Sequence, residues 1–398
     1  MATSEEEPII MEDDSEGLEE SIFTMGLPYV LNKIKNYLKQ QNLVELNIGV
    51  TGESGSGKST FVNAFRGLGD EDEDAAVTGV VETTMDPEVF LHPKSKNVKV
   101  WDLPAIGTPN FKASEFLEQV KFERYDFFII IASDRFKECH TQLAKEIMGK
   151  EKLFYFVRSK IDCSITTEKR KTTLKNLFDL KKLDTIREDC KNGLKMFGIE
   201  NPDVFLMSGW EMGKYDFNLL QERMEKELPQ HKRHVLMLAL PNITLEINER
   251  KKKALEKNIH RVALISACVA AIPLPGYSVS ADVAGLADEL RKYYSAFGLD
   301  DPSLQKLCER SGKTVEELKS LMKSSLHNGI NRKLIISLLG TESSLIFKSA
   351  VNFVLGFFPI VGTVVAGGMS YSTVLNMLKK VLNEIEEDAK NVLMACEM

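Results

Sequence analysis

Residues 51–60 read TGESGSGKST, a stretch with three glycines and one lysine. A loop this free to change shape is a poor place to fix a charge unless it wraps around something of opposite charge. Its flanks say what it wraps. Val44–Val50 (VELNIGV) is apolar and β-branched, and is expected to be a short strand. After the lysine, STFVNAFRGLG carries apolar residues at Phe61, Val62 and Phe65 and stops at Gly67 and Gly69, as a helix does. Strand, GxxxxGK[ST] loop and helix in that order form a P-loop. Gly52 and Gly57 let successive backbone N–H groups point into one concavity, and that nest with the helix N-terminus binds phosphate oxygens. Gly52, Glu53, Ser54, Gly55, Ser56, Gly57, Lys58, Ser59 and Thr60 are therefore expected to form a nucleotide-phosphate site. Lys58 should reach the β- and γ-phosphates, as a catalytic cation as well as a binding one, and the Ser59 hydroxyl should hold Mg²⁺.

The strands downstream select the nucleotide. NVKVWDLPAIG places a second strand (Val98–Trp101) that ends in Asp102, a carboxylate positioned for the Mg²⁺ shell. YDFFIIIA (Tyr125–Ala132) is apolar throughout, as a central parallel strand should be. KLFYFVRSKID leads into Ser159-Lys160-Ile161-Asp162, the NKxD pattern with serine in place of asparagine. One carboxylate at Asp162 can accept both the ring N–H and the exocyclic amine of guanine, while the Lys160 stem packs on the base. Adenine offers no such pair of donors, which argues against an ATPase. DVFLMSG gives a fifth strand ending at Ser208-Gly209, expected beside the base. Between the P-loop helix and Asp102 lies GDEDEDAAVTGVVETTMDP, whose acids Asp70–Asp74 read as a solvated loop. Its threonines Thr78, Thr83 and Thr84 are candidates for a switch hydroxyl on Mg²⁺ and an N–H on the γ-phosphate.

GESGSGKST, TGVVETTM, WDLPAIGTPNF, YDFFIII, FYFVRSKID, LPQHKRH and YYSAFGLDD together resemble the immunity-related GTPases, an interferon-inducible family. The likeness runs from about residue 28 to near the C-terminus, and Lys58 is similar to the GKS subgroup. AIPLPG and GTVVAGG look closer to the cinema-type or fish members. The resemblance implies an α/β Ras-like P-loop G domain with a mostly parallel sheet, plus an all-α helical domain built from N- and C-terminal segments. It also implies GTP hydrolysis through self-association across the nucleotide face, with Glu82 acting at the dimer contact and Thr84 on the metal. Two positions bear on that chemistry. Where Ras-type enzymes carry a water-orienting glutamine, this chain has Ile106, and where the family usually has glycine it has Ala105, whose N–H would meet the γ-phosphate.

The composition is that of an ordinary globular chain: 398 residues, 43% hydrophobic and 27% charged. Residues 1–32 hold nine acids and no Lys or Arg, and without them the net charge of −7 becomes +2. Residues 1–24 thus read as an acidic disordered tail, 25–43 as a helical segment, 44–232 as the GTP-binding domain and 233–398 as the helical domain. The six scattered cysteines have no CxxC pair and suit reduced thiols. Acids stand where a signal peptide needs cations, and Met1-Ala2 lacks the myristoylation glycine.

LPQHKRH (Leu228–His234) reads as a helix end and basic linker. Asp301 and Pro302 should start a helix, Thr314 and Glu317 should form a capping box, and Val374, Leu378, Val381, Ile385 and Val392 should line one helix face. Ser349–Met377 carries no charge; Pro359 and four glycines interrupt it, so a buried hairpin is the first reading and a membrane-docked one the alternative. The expected protein is cytoplasmic, partly associated with intracellular membranes, binding GTP or GDP with Mg²⁺ and itself but no nucleic acid. A nucleotide-gated scaffold with little hydrolysis is the competing reading.

Overall fold

An unbroken apolar run such as FFIIIA needs cover on both faces, and here it forms the middle of a six-stranded sheet with every residue buried. The computed structural model describes residues 24–41, 43–79, 86–107, 111–133, 136–169, 175–196, 198–271, 279–343 and 371–397. The strands are β1 (Leu46–Gly52), β2 (Glu88–His92), β3 (Ser95–Asp102), β4 (Phe127–Ala132), β5 (Leu153–Arg158) and β6 (Val204–Leu206). They lie in the order β2-β3-β1-β4-β5-β6, and every neighbouring pair is parallel except β2 with β3. Parallel neighbours need crossover connections, and helices supply them. The crossover helices are α2 (Lys58–Phe65), α3 (Ala113–Gln119), α4 (Glu138–Gly149), α5 (Ile161–Lys169) and α6 (Lys175–Met196); α1 (Leu27–Gln41) precedes β1, and α7 (Phe217–Glu227) and α8 (Gln230–Ala239) follow β6. All but α1 belong to the unit Leu43–Ile243 that contains the sheet.

Alternate residues of β4 serve the two layers, as strand geometry requires. Phe128 and Ile130 pack with Phe116, Leu117, Leu143 and Ile147 of α3 and α4. Phe127 points the other way and meets Tyr155 edge to face at 5.2 Å. This is the Ras-like P-loop architecture expected from the sequence, with one strand added. β2 was not foreseen, because only one of its five residues is buried and its pattern carries little periodic signal.

The stretch 228–234 departs from expectation. Leu228 caps α7, but Pro229 opens a further helix rather than a linker, and Lys232 forms an ion pair with Asp126. Val235, Leu236, Met237 and Ala239 of α8 are buried, and the helix packs on β3 and β1. The sheet unit therefore extends to Ile243.

The second unit joins α1 to the chain from Thr244 onward: α9 (Leu245–Ala271), α10 (Val279–Ala296), α11 (Asp301–Ser311), α12 (Val315–Ser320), α13 (Arg332–Ser343) and α14 (Tyr371–Glu397). Val374, Leu378, Val381, Ile385 and Val392 of α14 are all buried, as their spacing predicts. The 314/317 capping box forms, with Glu317 N–H on Thr314 Oγ1 at 3.2 Å and Thr314 N–H on Glu317 Oε2 at 2.7 Å. The cap of α11 is Asp300, not Asp301: its carboxylate accepts from Ser303 N–H at 3.1 Å, one residue earlier than the Pro302 position suggested. α1 is tied to α9 by Asn258, whose amide donates to Gln41 at 2.9 Å, and by Arg261, which lies over Tyr37 at 4.9 Å. The acidic tail through residue 23 and most of the apolar stretch 349–377, through residue 370, lie outside the described residues. Among the described residues no helix is long and apolar enough to cross a membrane.

Asp388 is the buried polar link that this unit most depends on. It is fully buried on α14 and accepts backbone N–H bonds from Lys323 at 2.6 Å and Ser324 at 3.2 Å. Removing the acceptor leaves two donors without a partner, so Asp388→Ala should cost about 2 kcal/mol, and Asp388→Asn less, in urea unfolding.

Candidate functional site

The site is built where β1 passes into α2. A Cβ on Gly52 would lie 2.1 Å from the Ile131 carbonyl oxygen and 2.8 Å from Ser56 Oγ, so no side chain fits at the point where the loop leaves the strand. Gly55 and Gly57 take left-handed conformations, φ +72° and +90°, and Gly57 precedes the first residue of the helix. Lys58 is buried, and its ammonium spans the loop, donating to the carbonyl oxygens of Glu53 at 3.1 Å and Gly52 at 3.4 Å. A buried cation beside a helix N-terminus, in a glycine-rich loop, makes this concavity suited to an anion.

Ser59, the next residue of α2, donates its hydroxyl to Asp102 Oδ2 at 2.7 Å. Asp102 ends β3 and is 2% exposed, and its Oδ1 is buried without a hydrogen-bond partner. Burial raises its carboxyl above the usual range, against the opposing pull of the Ser59 bond and Lys58. A hydroxyl and a buried carboxylate with one oxygen unused are hard donors of the kind Mg²⁺ takes, so the residues fit the expected metal. The turn after Asp102 is fastened to β1 and the loop by three bonds: Leu103 N–H to Val50 O at 2.9 Å, Thr51 Oγ1 to Pro104 O at 3.1 Å, and Ile106 N–H to Gly52 O at 3.1 Å. Ala105 is buried in that turn and is not among the residues with positive φ, so its methyl is accommodated there without strain.

The opposite rim is formed by the ends of β5 and β6. Ser159 donates from Oγ to the Ser56 carbonyl at 2.6 Å, tying the SKID segment to the P-loop. Lys160 sits at φ +55° and donates to Gly55 O at 2.7 Å, so its stem runs along the loop. Asp162 lies in the first turn of α5 with Oδ1 buried and unpartnered. Ser208 is buried and caps its own loop, accepting from Trp210 N–H at 3.3 Å and Glu211 N–H at 3.2 Å. Gly209 brings that loop against α2, since a Cβ there would meet Thr60 Cγ2 at 2.7 Å. The phosphate-loop, metal and base candidates thus converge around the first turn of α2, although they are spread over more than 150 positions of the sequence.

Two features were not foreseen in the sequence: the course of the Glu53 carboxylate and the anchoring of the 70–74 segment. The Glu53 carboxylate does not line the loop's concavity; Lys137 Nζ stands 2.5 Å from Oε1, at the start of α4. The acidic 70–74 segment is a loop with its five acids exposed or half-exposed, as expected, and it is also anchored. Asn63 of α2 accepts from Ala76 N–H at 2.6 Å and donates to Ala76 O and Asp70, while Arg66 donates to Asp74 O at 2.8 Å and to Leu91 O at 3.1 Å. Asn63 and Arg66 were missed, although two polar residues three apart beside Phe61, Val62 and Phe65 mark a buried polar face. They hold the approach to Thr78, which is half-buried. Glu82, Thr83 and Thr84 lie outside the described residues.

Residues 12–396 match the family model described as Interferon-inducible GTPase (IIGP). The chain is 40% identical over 389 residues to Interferon-inducible GTPase 5 of Bos taurus, an alignment covering 98% of this chain and 83% of the relative. It is 37% identical over 390 residues to Interferon-gamma-inducible GTPase 10 of Mus musculus, covering 98% and 90%. A third relative, Interferon-inducible GTPase 1 of Mus musculus, is 41% identical over 295 residues, covering 73% and 70%.

Asp102→Asn separates the cost of the site from its use. Replacing a buried, half-satisfied carboxylate with an amide should leave stability unchanged or raise it by about 1 kcal/mol in EDTA. The same variant should lose the rise in Tm that Mg²⁺ with GDP gives the wild type, measured by scanning calorimetry.

Proposed function

The chain belongs to the interferon-inducible GTPase family and is a GTP-binding protein with a GTPase fold; from that premise we propose that it hydrolyses GTP slowly as a monomer and faster when two copies meet. The backbone N–H groups of residues 52–60 take the phosphates, with no part for the Glu53 carboxylate, and Lys58 neutralises charge that builds on the transferred group. Asp162 and Lys160 select and cover guanine, with Ser208 and Gly209 beside it. Ser59 and Asp102, with Thr84, would hold Mg²⁺, which neutralises phosphate charge when bound. Thr78 and the N–H of Ala105 face the γ-phosphate in this reading.

The observation that carries the proposal is Ile106. It stands where a water-orienting glutamine is expected, and it is 3% exposed in the apolar core beside Phe116 and Phe128. An apolar buried group cannot align a nucleophile, so the missing part has to come from elsewhere. Glu82 at a dimer contact is the proposed source. The same observation favours a second reading, a nucleotide-gated scaffold with almost no turnover. Action at intracellular membranes in cell-autonomous defence is supported by the family and by the uncharged stretch 349–377.

GTP turnover measured over a series of protein concentrations, with Lys58→Ala as blank, distinguishes the two. Specific activity should rise several-fold with concentration; activity that stays at the blank favours the scaffold. Ala105→Gly should raise turnover, because glycine restores the free rotation of that peptide. Asp162→Asn should lower guanine affinity at least ten-fold and shift preference toward xanthine nucleotides, read by competition binding.

A further inference from the structure

Outside the phosphate concavity, one cluster of titratable groups stands directly behind the P-loop. Glu53, Cys139 and His140 bring a carboxylate oxygen, a thiol and an imidazole nitrogen within 4.8 Å of one another. Such a set invites a transition-metal reading, and the hydrogen bonding argues against it. The Lys137 N–H donates to His140 Nδ1 at 3.1 Å, so in the neutral ring the proton is on Nε2. Nε2 stands 3.8 Å from Glu53 Oε2, beyond hydrogen-bond range and without a hydrogen-bond partner, and in this tautomer it carries a proton rather than a lone pair for a cation. His140 is fully buried, and burial pushes its pKa down to about 4, which keeps the ring neutral beside Glu53, Lys137 and Arg158. The second carboxylate oxygen is already taken by Lys137 Nζ at 2.5 Å.

Glu53 therefore has two anchored ends. Its main chain belongs to the loop: the carbonyl accepts from Lys58 Nζ at 3.1 Å, and the residue pairs as an isolated parallel bridge with Ile106. Its side chain reaches the opposite way, to the first turn of α4. The turn carrying Ala105 and Ile106 is held against the same group, because a Cβ on Gly107 would lie 3.3 Å from Cys139 Sγ and 3.6 Å from Glu53 Oε1. A carboxylate with only 11% of its side chain exposed is expensive to bury, and the cation that compensates it, Lys137, stands at the start of α4.

We propose that Glu53 is a positioning residue for hydrolysis: held by Lys137 at its carboxylate and paired with Ile106 through its main chain, it fixes the Ala105–Gly107 turn relative to Lys58, so that its loss lowers turnover without lowering nucleotide affinity. The proposal rests on the GTPase reading above. Glu53→Gln keeps the shape and removes the charge, so Lys137 loses its ionic partner. In the full chain kcat should fall about ten-fold while KM and the Kd for GDP stay within about two-fold, the split expected of misplaced rather than missing groups. Lys137→Met should do the same and Lys137→Arg should retain turnover, a rescue that a bulk packing role does not predict.

A readout independent of activity keeps this test separate from the parent one. The thiol of Cys139 is half-buried against the turn, and the exposed Cys163 serves as an internal reference. In Glu53→Gln, alkylation of Cys139 followed by site-resolved mass spectrometry should be about five-fold faster, because the turn is no longer held to α4. A wild type without turnover sinks the GTPase reading, and the Cys139 rate alone then decides the clamp. An unchanged Cys139 rate, or kcat and affinity falling together with Tm, overturns the proposal.

Discussion

Gly52 passes so close to the Ile131 carbonyl that no side chain can stand between them, and the rest of the site depends on that approach. It lets β1 run to its end inside the sheet and the chain then double back over β4. The helix that follows begins at Lys58 directly above the strand ends. The ends of β3, β5 and β6 deliver Asp102, the SKID segment and Ser208 to the same rim, because parallel strands all finish on one side. A single glycine–carbonyl contact thus sets where a cation, a carboxylate and a base-selecting segment meet.

The charges at this rim are arranged to be used. Asp102 is buried with one oxygen satisfied by Ser59 and the other left without a partner, which raises its proton affinity and costs folding free energy. Lys58 satisfies itself on loop carbonyls, a weaker arrangement than an ion pair. Buried charges in the helical unit are treated differently. Lys251 is fully buried with its ammonium on the Ala296 carbonyl at 2.5 Å, and Arg261 combines Tyr37, Asn258 and the Lys257 carbonyl. There the polar groups fasten helices together, whereas at the P-loop they leave an oxygen available.

Much of this was legible in the sequence because the site is local chemistry on a periodic scaffold. GESGSGKS, the Asp102 strand and SKID each sit at the end of an apolar run, and the position of a motif at a strand end is what gives it meaning. What escaped was set by tertiary contacts. β2 is half-exposed and held by pairing with β3 rather than by its own pattern. The 228–234 segment looks like a helix end because Pro229, Lys232 and Arg233 stand there between two histidines, yet the apolar residues that follow find β1 and β3 and extend the chain into α8. The acids of 70–74 suggested solvent, and they are exposed or half-exposed, but Asn63 also holds the Asp70 carboxylate and Arg66 the Asp74 carbonyl, which no composition rule reveals. Glu53 was assigned to the phosphates by its place in the motif, and only the position of α4 shows that its carboxylate leaves the other way.

That divergence of backbone and side chain bears on how such a site can be regulated. The turn after Asp102 is bonded along β1 through main-chain groups, and its two central side chains, Ala105 and Ile106, are apolar and buried. The N–H groups of Leu103 and Ile106 are spent on β1, and Ala105 and Ile106 have no side-chain group with which to act on water. A turn without chemistry of its own can influence the reaction only through where it is held. In this fold that position depends on Glu53 and the first turn of α4, residues on the far side of the loop from the nucleotide. If a second copy completes the chemistry, its contribution is useful only when the turn already stands in place. The slow step of a lone chain and the clamp behind its P-loop are then two halves of one control: one withholds the group that acts on water, and the other keeps the position ready for it.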